Sequence, residues 1–388
     1  MSDPRNDLPD DVADVGLVKL SKDLKASVGL LGRNEVRFLV DFYYDIQANR
    51  IRSAAQVREA AKARGGAEPN KLLDWCETNF QVFENLIKSA LNAFTKEYTV
   101  GLWCQSICGI GPVIAAGLLA HIDITKCSSY GSIQRFAGLD ATVDWPSTED
   151  AKKWVKEQGI GVSEDLVKLA CAKYGRRLDS MLLFMTPKGK KEVVWTVDSL
   201  AKAISRRPWN ESLHTLCAFK LGESFVKVQN NKNDYYGQIY ARRKLMEHEE
   251  NKVGKYGDQA RKILETTDIG KETDAYQWYS GRMTPAAIQT FFTTPPEKRM
   301  GLAKKLAGSA DDCGIRMLPP DHIHSRARRY AVKLFIAHLY HVMFVDYHGM
   351  QPRVPLPFEK LGHDKNHYLP PPNWPLTEPA RSLKTMLA

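Results

Sequence analysis

An all-α fold made of many helices, with a helix-hairpin-helix at its core, is what this 388-residue sequence predicts. Two observations carry the helical part. Apolar residues recur at helical spacing over residues 35–98, 211–254 and 322–347, and the glycine and proline clusters fall between those stretches. Only one short region, Met181–Met185 and Val193–Val197 around Pro187-Lys188-Gly189-Lys190-Lys191, reads as either a small β-hairpin or two helix ends.

In chain order, Glu35–Gln47 carries Val36, Leu39, Val40, Phe42 and Tyr43 on one side, and Leu72–Tyr98 carries Leu73, Trp75, Phe80, Phe83, Leu86, Ile87, Leu91 and Phe94. Arg64-Gly65-Gly66 with Pro69 and Asn70 separates them, so residues 1–100 are expected to form a helical hairpin through which two copies could dimerise. Residues 101–254 are expected to form the second domain, with an insertion near 147–205. Ser147 caps a helix to Gln158 with Asp150 three residues on, and a second helix runs from Ser163 to Tyr174. Gly159-Ile160-Gly161 reads as a loop, since Asp165 stands where a small apolar residue would be needed for a second hairpin. Residues 255–320 are expected to be a connection punctuated by proline and glycine, 321–350 a long helix packed on the second domain, and 351–388 a proline-rich tail, extended and partly mobile.

The bulk properties narrow the partners. No run of 18 apolar residues occurs, and Met1–Asp11 is acidic, so neither a membrane span nor a signal peptide is expected. Seven scattered cysteines suit reduced thiols of a cytoplasmic protein; Cys104 and Cys108 lack a second pair with ligand spacing, so no zinc is expected. A net charge of +10 attracts a polyanion.

The segment Ile107-Cys108-Gly109-Ile110-Gly111-Pro112-Val113-Ile114-Ala115-Ala116-Gly117-Leu118-Leu119 fits the helix-hairpin-helix pattern hxGhGxxxAxxhh. Gly109 and Gly111 allow a sharp turn and a close backbone approach, and Pro112 suits a first helical position. The helix that follows presents its first-turn N–H groups to an anion, so Gly109, Ile110, Gly111 and Pro112 are the candidate phosphate-binding residues. The alternative is a turn between two core helices. Arginine clusters at 206–207 and at 326, 328 and 329 would extend the contact, and pairs recur at 176–177 and 242–243, although any one of them could be a solvated face. Trp209, Tyr235, Tyr236 and Tyr330 could stack on unpaired bases or fill the core. His338, His341 and His348 have no accompanying carboxylate pattern, and no metal or other cofactor is expected.

Three blocks resemble the C-terminal half of transposases of the insertion-sequence 110/116/902 family. The hairpin followed by Phe136-Ala137-Gly138-Leu139-Asp140 looks like that family's most specific block. Trp209–Leu216 is similar to its next helix start, and Tyr235-Tyr236 with Ala327–Leu334 to its ending. The resemblance covers about residues 101–350 and implies a DNA-binding protein of a mobile element or phage, on duplex or branched DNA; relatives that act with structured RNA make an RNA-binding or assembly role the alternative. The family's N-terminal nuclease domain, whose carboxylates hold metal, has no counterpart: Asp41, Asp45, Glu59 and Asp74 lie within amphipathic helices. The family's serine nucleophile would fall at Ser147, displaced by one position, where helix capping is the competing role. No other catalytic constellation is evident, so strand transfer through Ser147 is the one enzymatic reading.

Overall fold

The computed structural model describes residues 28, 31–63, 65, 71–140, 145–158, 162–175, 196–354 and 369–387. These residues form an all-α protein with no sheet; one isolated bridge joins Tyr98 to Arg381. The 159–161 loop and residues 181–195 lie outside the described residues; of the 181–197 alternative only Thr196 and Val197 are described, as the cap and first residue of a helix. In order the α-helices are α1 (Arg33–Ala63), α2 (Lys71–Lys96), α3 (Thr99–Ser106), α4 (Pro112–His121), α5 (Tyr130–Phe136), α6 (Thr148–Glu157), α7 (Glu164–Tyr174), α8 (Val197–Ser205), α9 (Glu211–His214), α10 (Gly222–Val228), α11 (Tyr236–Lys252), α12 (Gly257–Thr266), α13 (Asp274–Tyr279), α14 (Pro285–Thr293), α15 (Leu302–Leu306), α16 (Pro320–His348) and α17 (Lys384–Leu387). A π-helical turn, Thr215–Leu221, separates α9 from α10. No helix among the described residues is long and apolar enough to cross a membrane.

The chain divides into two compact units, Met1–Ser128 with Leu216–Ala388, and Ser129–Thr215. The expected 101–254 domain is thus split at both ends of the second unit. In the first unit α4 is central. Its sequence, Pro-Val-Ile-Ala-Ala-Gly-Leu-Leu-Ala-His, is apolar all round, and eight of its ten residues are buried, as such a helix requires. Gly117 lets it approach its neighbours closely: a Cβ there would meet Leu216 at 2.6 Å and Val40 of α1 at 3.4 Å. The α1–α2 hairpin packs on α4 through Val36, Val40, Leu91 and Phe94, all at most 2 % exposed. Glu84 fastens the hairpin where it leaves the core, accepting from Tyr43, Gln47 and Arg50 at 3.0, 3.0 and 2.6 Å. Burial alone would raise the Glu84 pKa, but these hydrogen bonds hold it below the usual value. Beyond that point, between Ile46 and Glu84, no described side chain is fully buried.

On another side of the unit α11 and α16 run antiparallel, Tyr236 opposite His338 and Asn251 opposite Leu318. Phe335 of α16 lies in an aromatic cluster, stacked on Trp103 at 5.6 Å and meeting Tyr236 and Phe225 edge-on at 5.3 and 5.9 Å. The second unit has its own three-helix core: Trp154 and Val155 of α6, Leu166 and Val167 of α7, Leu200 and Ile204 of α8.

Two expectations are corrected. The 255–320 region is not merely a connection, since α12–α15 enclose apolar cores around Trp278, Phe291 and Met317 and around Tyr256 and Leu318. Its helices, apart from α12 and α14, are too short for a helical period to show. The tail is not free over 369–387. Leu383 is fully buried, its N–H donates to Asp346 at 2.7 Å, and the Thr99 N–H donates to the Arg381 carbonyl at 3.0 Å.

Removing the ring that joins α3, α10, α11 and α16 should be costly: Phe335→Ala is expected to destabilise the chain by about 3–5 kcal/mol, read as a lower urea midpoint with unchanged slope.

Candidate nucleic-acid interface

The hairpin loop is closed by two backbone bonds, Ile107 N–H to the Cys104 carbonyl at 3.2 Å and Ile110 N–H to the Ile107 carbonyl at 3.0 Å. Gly109 has φ +90°, a left-handed conformation that favours glycine, and a Cβ there would press on Val228 and Ser224 of α10 at 3.2 and 3.3 Å. Gly111 is different. It is exposed, adopts an ordinary extended conformation (φ −89°, ψ 175°), and a Cβ would meet nothing within 4 Å. Pro112 then occupies the start of α4, and no side chain caps that end.

The two ends of α4 are therefore unlike. At the C-terminus, Arg33 and Arg37 donate to the Ala120 carbonyl at 3.0 and 2.9 Å, satisfying a carbonyl that has no intrahelical partner and opposing the negative end of the dipole. Burial, with the charges of these two arginines, pushes the neighbouring His121 down to about 4. At the N-terminus the first-turn donors have no helical acceptor, and the open Gly111 leaves them approachable.

Beside the loop lies a cleft of about 260 Å³ lined by Ser106–Cys108, Lys232–Tyr235, Gln238, Pro372 and Asn373. The tail forms one wall. Trp103 donates to the Pro372 carbonyl at 2.8 Å, and Asn373 to the Ser106 carbonyl at 3.0 Å, so the end of α3 is capped by a residue 267 positions away. Asp234 is buried at the start of α11, and burial holds its pKa above the usual value although the N–H groups of Gly237, Gln238 and Tyr236 lower it in part.

Tyr235 lines the cleft and lies within electrostatic reach of Arg242 and Tyr330. From there a basic surface continues over α11 and α16. Arg243 lies over the Tyr330 ring at 4.6 Å, and Arg243 and Arg326 each donate to buried Glu247 at 2.7 Å. Arg329 is exposed on the same helix, and no carboxylate among the described residues ion-pairs with it or with Arg242.

The expected site residues divide accordingly. Gly111 and Pro112 stand at the open helix end and Gly109 shapes the turn, but Ile110 is 5 % exposed and its N–H is already used, so it offers a ligand nothing. Arg326 and Arg329 share the unit of the hairpin. Arg328 does not join them: it bonds Glu223 and lies on the Phe219 ring. Arg206 and Arg207 belong to the other unit, where Arg207 meets Glu211 at 3.5 Å. Ser147 serves there as the cap of α6, its Oγ accepting from Asp150 N–H at 3.1 Å and donating to the Asp150 carboxylate at 2.6 Å. Trp209 and Tyr236 go to packing, Trp209 against Trp145 at 4.3 Å. Within that unit two of the blocks that carry the family resemblance pack together: Asn210 N–H donates to the Phe136 carbonyl at 2.9 Å, and Gly138 sits under Trp209 and His214. Asp41, Asp45, Glu59 and Asp74 are exposed positions on α1 and α2, and no metal-holding cluster occurs among the described residues. Arg33, Arg37 and Asn373 are absent from the sequence reading, because a side chain that caps a distant helix leaves no local pattern.

No known protein family, curated protein or solved structure matches this chain.

His338 ties the tail to the cluster. Its Nε2 meets the Leu369 carbonyl at 2.8 Å and must donate, so in the neutral ring Nδ1 accepts from Tyr236 at 2.8 Å. Burial, with a smaller effect of His341, pushes its pKa from 6.5 down to about 4. Above 6.5 the ring is neutral both folded and unfolded and its contribution to stability is complete; between 6.5 and about 4 the unfolded chain takes the proton first and stability falls. Melting temperatures over that range should drop with pH, and His338→Asn, less stable at neutral pH, should show a shallower drop.

Proposed function

We propose that the protein binds DNA, as a relative in kind of transposases without their nuclease half, and holds the phosphate backbone at the hairpin between α3 and α4. The observation that carries the reading is the unequal treatment of the two ends of α4: the negative end is capped by Arg33 and Arg37, and the positive end is left uncapped at an exposed glycine. An anion is the natural occupant of such an end. The arginines 242, 243, 326 and 329 on the paired helices α11 and α16, with Tyr235 at the start of α11, and the net charge of +10, support the same partner. Contacts of this kind position a protein on nucleic acid without reading its sequence.

A second reading is assembly through the far part of the α1–α2 hairpin. There Ile51, Leu72 and Trp75 are 53, 64 and 42 % exposed, on a two-helix arm with no core of its own. A shift from dimer to monomer in Leu72→Glu/Trp75→Glu, measured by light scattering, is expected on this reading; a wild-type monomer would refute it.

The test of the first reading is binding to labelled duplex DNA, branched DNA and structured RNA across a salt series. Affinity for DNA should fall steeply with salt as counterions are displaced. Gly111→Glu puts a carboxylate where the phosphate would sit, in open space and at an ordinary φ, so binding should be abolished with the melting temperature unchanged. Wild-type affinity in that variant would overturn the assignment, and preference for structured RNA would move it to an RNA partner.

A further inference from the structure

The surface over α11 and α16 is more than a diffuse positive patch. Tyr330 is 43 % exposed, with one ring face against the Arg243 guanidinium at 4.6 Å. Arg243 and Arg326 are held by the same carboxylate, Glu247, whose residue is 1 % exposed, and Arg326 also donates to Gln259 at 2.9 Å and covers the Tyr256 ring at 4.5 Å. These two arginines are fixed in place before any ligand arrives, which lowers the ordering cost of binding. Arg242 and Arg329 carry no ion pair among the described residues. Of the next carboxylates along α11, Glu249 is engaged by Lys252, and Glu250 by Lys255 and Tyr256.

Two arginines without an ion pair near an exposed tyrosine match one chemistry better than a double helix. A duplex keeps its base faces stacked inside and offers phosphates and groove edges, on neither of which an aromatic ring can stack. An unpaired strand offers both, a base to stack and phosphates to pair. We propose that this ridge binds an unpaired nucleic-acid strand, with a base on Tyr330 and flanking phosphates on Arg242 and Arg329. Tyr235, between the ridge and the hairpin-side cleft, carries the strand toward the loop. The inference rests on the nucleic-acid reading above and specifies the form of nucleic acid at a second surface.

The experiment is fluorescence anisotropy on the full chain with three probes of about 20 nucleotides: oligo-deoxythymidine, oligo-uridine and a DNA duplex. Tyr330→Leu is expected to weaken single-strand binding about tenfold and to leave duplex binding within about twofold. Arg242→Gln/Arg329→Gln should reduce the single-strand salt slope by about 1.4, the change expected when two phosphates of a single strand are no longer neutralised. Binding of the deoxy probe, the ribo probe or both supports the proposal and names the source of the strand. Wild-type duplex binding with no single-strand binding overturns it and leaves the hairpin reading intact, as does unchanged single-strand affinity in Tyr330→Leu. Conversely, Gly111→Glu with wild-type duplex affinity removes the hairpin reading while the single-strand result for Tyr330→Leu still decides this one.

Discussion

Burial of α4 on every side is the constraint on which the first unit depends. A ten-residue helix with no polar face cannot border solvent, so α1, α2 and α3 all pack around it. Its only outlets are its two ends, and these are where polar backbone groups must be satisfied. Arg33 and Arg37 reach from α1 to the Ala120 carbonyl at one end. The other end emerges at Gly111, where nothing in the described chain fills the role. A packing requirement thereby orients a helix dipole and leaves its positive pole at the surface.

The same economy of backbone groups explains why a proline-rich tail is ordered over 369–387. Prolines lack N–H donors but keep carbonyls, and carbonyls are what this stretch offers: Pro372 to Trp103, Leu369 to His338. Each partner is a buried or half-buried donor that would otherwise be unpaired, at a cost of about 1–3 kcal/mol. The strap thus completes the core around Trp103 and Phe335 and at the same time walls the cleft beside the hairpin, so stability and the candidate interface share residues.

Legibility varied with the range of the interaction. The α1–α2 hairpin and α16 were readable because their periodicity extends over two or more turns, and the loop at 109–112 with the start of α4 because glycine and proline act on their own dihedral angles. Ser147 was readable as a cap because its partner, Asp150, is three residues away. Arg328 was not distinguishable from Arg326 and Arg329 in the sequence. Neighbours on one helix diverge by about 100°, and only the position of Glu223 and Phe219 removes Arg328 from the basic ridge. Ile110 and Gly111 likewise sit side by side, one in the core and one in solvent, next to Gly109, where α10 presses on the loop.

Local dihedral preferences, short-range periodicity and composition are enough to establish that the chain is helical, that a tight glycine-proline hairpin precedes an apolar helix, and that positive charge is in excess. The folded arrangement was needed to settle which arginines lack an ion pair, which glycine is open, where the tail lies and that 129–215 is a separate unit. Apart from the four-residue pairs Arg243–Glu247 and Arg207–Glu211, these depend on contacts between residues tens to hundreds of positions apart, and no pattern within one segment records its distant partner.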